Sequence, residues 1–299
     1  MNRGFIFILF LFLAVQLPVI AQSKKAELFS GGLKPEKLAG GFGFTEGPAC
    51  DKKGNIFFTD QPNNRIMKWS TKNILTTFGE KFGRANGLYF DKKGNLISCS
   101  DEKNELWSIT PDRKVTVLVK DFEGKKLNGP NDLWITPQGG IYLTDPFYPR
   151  PWWDHQTSEQ DGQHIYFLSP GASKLIRVAA DFKQPNGIIG TPDGKYLYVS
   201  DIRDKKTWRY SITKDGMLIE KKLFAEMGSD GMTIDNKGNI YLTGKGVTVF
   251  SSDGELVGKI PVDENWTANV CFGGKDRRLL FITASNSVYG LRMKVKGIR

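Results

Sequence analysis

The chain has 299 residues, 39% of them hydrophobic and 12% aromatic, with 42 Lys and Arg against 32 Asp and Glu for a formal charge of +10. Two histidines, His155 and His164, and three widely spaced cysteines, Cys50, Cys99 and Cys271, exclude histidine-built zinc or copper centres, Cys-x-x-Cys cages and a disulfide scaffold. The lysine pairs at Lys52, Lys92, Lys125, Lys205 and Lys221 are scattered over turn-like settings, which marks a solvated surface and excludes a nucleic-acid patch.

In chain order, Arg3 is followed by an apolar run from Phe5 to Leu17 and then by Val19-Ile20-Ala21, the pattern of a signal peptide spanning 1–21 with cleavage before Gln22. The run is shorter than the roughly 20 residues of a membrane span, so no stable membrane insertion is expected after cleavage. The protein is then exported, to a periplasm or out of the cell. The remaining 22–299 reads as one domain, a length that all-β propellers and barrels reach as a single unit.

From Glu46 onward one unit is written six times. EGPACDKKGNIFFTD opens it, and NGLYFDKKGNLISCSD from Asn86, NDLWITPQGGIYLTD from Asn131, NGIIGTPDGKYLYVSD from Asn186 and DGMTIDNKGNIYLTG from Asp230 repeat it. NVCFGGKDRRLLFITA from Asn269 is a degenerate sixth copy. In each, a short apolar run meets a turn rich in Asp, Pro, Gly and Asn and then an alternating β-branched and aromatic run, which predicts a β-hairpin. Further β-like runs follow, such as Arg65 to Trp69 and Thr207 to Ile212. Starts 39 to 55 residues apart match the span of a four-stranded blade. The expected fold is all-β, a six-bladed β-propeller with four-stranded blades around a central channel, and the stretch around Pro35 to Leu38 is expected to add a strand to the last blade and close the ring.

The first residue of every unit is polar: Glu46, Asn86, Asn131, Asn186, Asp230 and Asn269. Equivalent positions on the innermost strands form a ring around a propeller axis, so two carboxylates and several amide carbonyls converge there. Buried like charges repel and are costly to desolvate, and a cation relieves both problems. An all-oxygen set favours calcium, with zinc, manganese or magnesium as further candidates. The competing reading is that Asn-Gly and Asp-Gly serve turn conformations. A second recurrent acid, at Asp60, Asp101, Asp145 and Asp201, follows Thr or Ser each time and is read as structural. The longest interval holds Pro146-Phe147-Tyr148-Pro149-Arg150-Pro151-Trp152-Trp153-Asp154-His155, an insertion expected either to overhang the channel mouth or to pack on the rim.

These residues, with KKLNGPNDLWITPQGGIYLTDPFY, QPNGIIGTPDGKYLYVSD and SDGMTIDNKGNIYLT, resemble the gluconolactonase and senescence-marker-protein family over essentially the whole chain after residue 21. The resemblance implies a six-bladed propeller with a divalent cation in its channel that hydrolyses sugar lactones. It places metal ligands at Glu46, Asn186 and Asp230, with Asn131 as a fourth ligand or a substrate contact. Some animal members carry Arg where this chain has Gly129, so their grip on the sugar hydroxyls need not transfer. Asn86, Asn128, Asn131, Tyr148, Trp152 and His155 are the expected substrate contacts, and Asp230 the expected general base. The expected partner is a small lactone, and a monomer is expected. The alternatives are a phosphotriesterase-like hydrolase and a non-catalytic ligand-binding propeller.

Overall fold

The computed structural model describes Leu28 and residues 34–298; the proposed leader at 1–21 lies outside the described residues. Six four-stranded antiparallel sheets follow one another along the chain as blades. Blade 1 runs Thr45–Cys50, Ile56–Asp60, Arg65–Trp69 and Leu75–Glu80 from the axis outward. Blades 2 to 5 begin with inner strands Ala85–Phe90, Leu133–Ile135, Pro185–Gly190 and Met232–Ile234. Blade 6 comprises Thr267–Gly273, Leu279–Ala284 and Ser287–Arg292, and its outermost strand is Glu36–Gly40 from the other end of the chain. That strand pairs antiparallel with the third, Glu36 opposite Gly290, so the ring closes by backbone hydrogen bonds between the two ends of the domain. The expected architecture and its closure are both observed.

Three of the hairpin turns share one polar chemistry. Asp51 Oδ1 accepts from the Lys53 and Asn55 amides, and Asn55 Nδ2 returns a bond to Asp51 Oδ2 at 2.8 Å. Asp91 with Asn95 and Asp235 with Asn239 reproduce it. Second strands such as Ile56–Asp60, Leu96–Ser100 and Ile141–Asp145 are buried along their whole length between neighbouring blades. The outermost strand Val115–Val119 is mostly exposed. The core is therefore a series of apolar layers between blades, for example the stack of Trp134, Tyr142 and Phe167.

Two devices aim the polar ring at the axis. Pairing between first and second strands shifts register between Glu46 and Ala49, Ala85 and Leu88, and Pro185 and Ile188, so Glu46, Asn86 and Asn186 sit at bulges. A bulge re-aims a side chain that regular pleating would bury in a sheet face. The glycines after Asn86, Asn186 and Asp230 have a different reason from the one the turn reading gives. Gly87, Gly187 and Gly231 are not in the left-handed region. A Cβ there would lie 2.6 Å from Asn131 O, 2.8 Å from Asp230 O and 2.0 Å from Asn269 Cγ. Only glycine lets each inner strand approach the next blade so closely. The threonines ending the second strands bridge the same junctions, with Thr59 Oγ1 donating to Asn86 O at 3.2 Å and Thr144 Oγ1 to Asn186 O at 2.8 Å.

Candidate active site and metal centre

Five of the six ring residues, Glu46, Asn86, Asn131, Asn186 and Asp230, line one cavity of about 390 Å³ at the mouth of the channel. That volume falls within the range of small-molecule sites. The sixth lies behind the wall: Asn269 Oδ1 accepts from its neighbour Val270 N at 2.8 Å, its Nδ2 donates to Asp132 Oδ2 at 3.3 Å, and its side chain also bonds the Glu46 carboxyl.

Within the cavity the amide groups are incompletely satisfied. Asn186 Nδ2 donates to Tyr148 Oη at 3.0 Å, while Asn186 Oδ1 and Asn86 Oδ1 are buried with no hydrogen-bond partner. Buried orphan carbonyl oxygens are rare and signal a missing donor, water or ion. Burial pushes the Glu46 carboxyl well above its ordinary range, and the nearby Asp230 raises it further. Asp230 is pushed up to about 6 by burial, held back by hydrogen bonds from Trp266 and Asn186 and by the Arg150 charge. Asp132, behind the wall, is raised to about 7, chiefly by burial. Three acids that resist ionising together and two unpartnered amide oxygens form a region short of positive charge.

Among the described residues no group of three or more His, Cys, Asp and Glu side chains forms a metal cage. The donors here are two carboxylates and amide carbonyls, with no His or Cys in the wall. This chemistry fits a hard, oxygen-seeking divalent cation and suits zinc poorly. Glu46, Asn86, Asn131, Asn186 and Asp230 are the residues that could hold it.

The insertion overhangs the mouth. Tyr148, Arg150 and Trp152 all line the cavity. Its anchor is Asp101, whose Oδ1 accepts from Trp152 Nε1 at 2.9 Å, Oδ2 from Arg150 Nε at 3.0 Å, and main-chain O from Trp153 Nε1 at 2.8 Å. Asp101 thus departs from the structural role read for its set. Asp60, Asp145 and Asp201 do accept backbone N–H groups from the segments entering their own blades, as at Gly43, Asn128 with Gly129, and Lys183 with Gln184. Asp101 instead ties blade 2 to the loop over the site.

Two expected contacts are not at the cavity. Asn128 is 1% exposed, and its Nδ2 donates to the main-chain oxygens of Asp145 and Gly162 while Ser158 Oγ donates to its Oδ1. Every polar atom of the side chain is thus spent on holding the loop base. His155 stacks on Trp153, ring centres 5.0 Å apart, and its Nδ1 meets Asp154 on the outer rim. Conversely, the wall includes Phe44, Gln61, Ile202 and Trp266, which sequence reasoning did not single out. Trp266 Nε1 donates to Asp230 Oδ2 at 2.6 Å. Phe44 and Trp266 each lie just upstream of a ring position, in the segment entering the inner strand, and that placement was the available signal.

A family profile described as the SMP-30/Gluconolactonase/LRE-like region matches residues 44–286. The chain belongs to this family. The gluconolactonase of Zymomonas mobilis subsp. mobilis is 30% identical over 293 residues, covering 88% of this chain and 82% of its own. The structure of a gluconolactonase from Xanthomonas campestris superposes with a TM-score of 0.80 at 28% identity, covering 86% of this chain and 88% of that one. Diisopropyl-fluorophosphatase of Loligo vulgaris is 27% identical over 238 residues, covering 70% and 75%. This family member is a lactonase-type hydrolase. Among its described residues no helix is long and apolar enough to cross a membrane.

Proposed function

We propose that the chain is an exported, monomeric, calcium-dependent lactonase that opens a small sugar-type lactone in the cavity above Glu46, Asn186 and Asp230. The observation that supports this most is the convergence of the buried Glu46 carboxyl and the half-buried Asp230 carboxyl with two orphaned amide oxygens, Asn86 Oδ1 and Asn186 Oδ1, in one wall. When bound, a divalent cation supplies an electrophile that polarises a carbonyl and makes water more acidic.

The remaining steps belong to the chain. Tyr148, Trp152, Trp266 and Phe44 give apolar faces for the ring of the substrate and narrow the space open to bulk water. Asn86 and Asn131 offer amide N–H donors for ring hydroxyls. Asp230, held by hydrogen bonds from Trp266 and Asn186, is the carboxylate that orients the attacking water and receives its proton. With a divalent cation held at Glu46 and Asn186, the Asp230 carboxylate would be a weaker base and would orient the water more than accept its proton.

The test is hydrolysis of D-glucono-1,5-lactone by chelator-treated protein before and after calcium is restored. Full turnover in excess chelator contradicts the proposal. The fluorophosphatase relative motivates one rival reading, because the same electrophile polarises a phosphoryl oxygen. A parallel assay with a fluorophosphate separates the two by the ratio of kcat/KM values.

A further inference from the structure

Among the described residues Arg150 is the one basic side chain in the wall of the cavity, and it is fixed before any substrate arrives. Its Nε donates to Asp101 Oδ2, and its guanidinium carbon lies 5.5 Å from the Tyr148 ring centre and 5.6 Å from that of Trp152. Asp101 is 2% exposed and also accepts from Gln61 Nε2 at 3.1 Å, so the anchor is itself held. A guanidinium carries five N–H donors. One is spent on Asp101, and the two terminal nitrogens have no partner among the described residues. Arg84 adds positive charge beside Trp152, 4.6 Å from its ring centre, with Glu102 as its own counter-ion at 3.9 Å.

The cavity therefore has an acidic end, at Glu46 and Asp230, and a basic end at Arg150. Tyr148 touches both, through Asn186 at its hydroxyl and Arg150 over its ring, so one small ring-shaped molecule spans them. Opening a lactone needs charge stabilisation at the carbonyl, at the acidic end, so the free fork is available to a substituent elsewhere on the ring. A preorganised guanidinium fork matches a carboxylate or phosphate in geometry and bonds it roughly twice as strongly as a neutral hydroxyl. An anionic substituent held by the Arg150 fork leaves the ring carbonyl on the opposite side, toward Glu46 and Asp230. The formal charge of +10 further favours anionic substrates during encounter.

We propose that Arg150 determines specificity and that the substrates are small lactones bearing an anionic substituent, carboxylate or phosphate, remote from the ring carbonyl. This rests on the lactonase reading above. The test compares kcat/KM of the calcium-loaded protein for neutral D-glucono-1,5-lactone with that for 6-phospho-D-glucono-1,5-lactone and D-glucaro-1,4-lactone. The wild type prefers at least one anionic lactone by about tenfold, and the preference shrinks as salt rises to about 0.3 M. Arg150→Gln lowers the anionic-to-neutral ratio by about tenfold or more, chiefly through KM, while Arg150→Lys keeps an intermediate ratio. Should Arg150→Gln fail to fold, the Lys variant and the wild-type salt dependence decide. Equal or better turnover of the neutral lactone, or a ratio unchanged by substitution, overturns the proposal and leaves the lactonase reading standing. Hydrolysis of none of the three overturns the lactonase reading and this inference with it.

Discussion

The two ends of the central channel are built from the same inner strands and carry opposite chemistry. At their starts stand Glu46, Asn86, Asn186 and Asp230 around a cavity of about 390 Å³. At their far ends stand Ala49, Phe90, Ile189, Ile234 and Phe272, around a space of about 80 Å³ into which the C-terminal Gly297 and Ile298 are packed. That tail is fastened by Asn236 N to Lys296 O at 2.8 Å and by Gly297 N to Arg277 O at 2.9 Å. One end buries apolar area and contributes stability. The other keeps two amide oxygens buried without partners and sets Glu46 close to Asp230, which costs stability in the absence of a cation. The difference teaches that the channel is a holder at one end and a reaction vessel at the other.

Substitutions at the polar end test the contrast with the largest effects. Glu46→Gln and Asp230→Asn each lower kcat/KM for a lactone by about a thousandfold with the circular-dichroism spectrum unchanged, and the double variant is no worse than about the poorer single one. At the apolar end the pattern inverts. Phe272 is 5% exposed and meets Tyr241 edge-on at 5.3 Å. Phe272→Ala therefore costs about 3 to 5 kcal/mol in denaturant unfolding, with kcat/KM of the folded fraction within about threefold of wild type.

Removing the cation sharpens the comparison through pH. The carboxyls of Glu46, Asp132 and Asp230 are all raised in the folded protein, the last two to about 7 and about 6. Raised acids bind protons more tightly folded than unfolded, so their contribution is fully present below about pH 4 and is lost as pH rises through 6 to 7. Stripped protein thus melts lower at pH 8 than at pH 5. Calcium at about a hundred times its Kd raises Tm by about 5 to 10 °C at pH 8 and by clearly less at pH 5. A calcium effect independent of pH contradicts the assignment of these acids. The smallest effect is at Trp266. Losing its bond to Asp230 in Trp266→Phe lowers kcat/KM by about tenfold and moves the acidic limb of the pH profile upward, because a bond to the ionised carboxylate has been removed.

The sequence displayed most of this architecture, because the repeated turn chemistry of Asp51 and Asn55 is local and recurs in register. The ring was legible for the same reason: five of its members begin repeats and meet by rotation about one axis. What stayed hidden depends on contacts between distant segments. Asn128 looked like part of the Asn-rich motif around Asn131, but its amide is consumed by Asp145 and Gly162. Asp101 shared its spacing with three structural aspartates, and only the insertion arriving from blade 3 changes its role. Trp266 enters the degenerate sixth repeat, where only its place just upstream of Asn269 pointed to it.

The central claim is that the polar end holds one divalent cation. Calorimetric titration of calcium into chelator-stripped protein at pH 8 tests it most directly. One ion per chain, bound about a hundredfold more weakly or not at all in Glu46→Gln and Asp230→Asn, is the expected result. Absence of binding to the wild type, or binding that both substitutions leave intact, contradicts it.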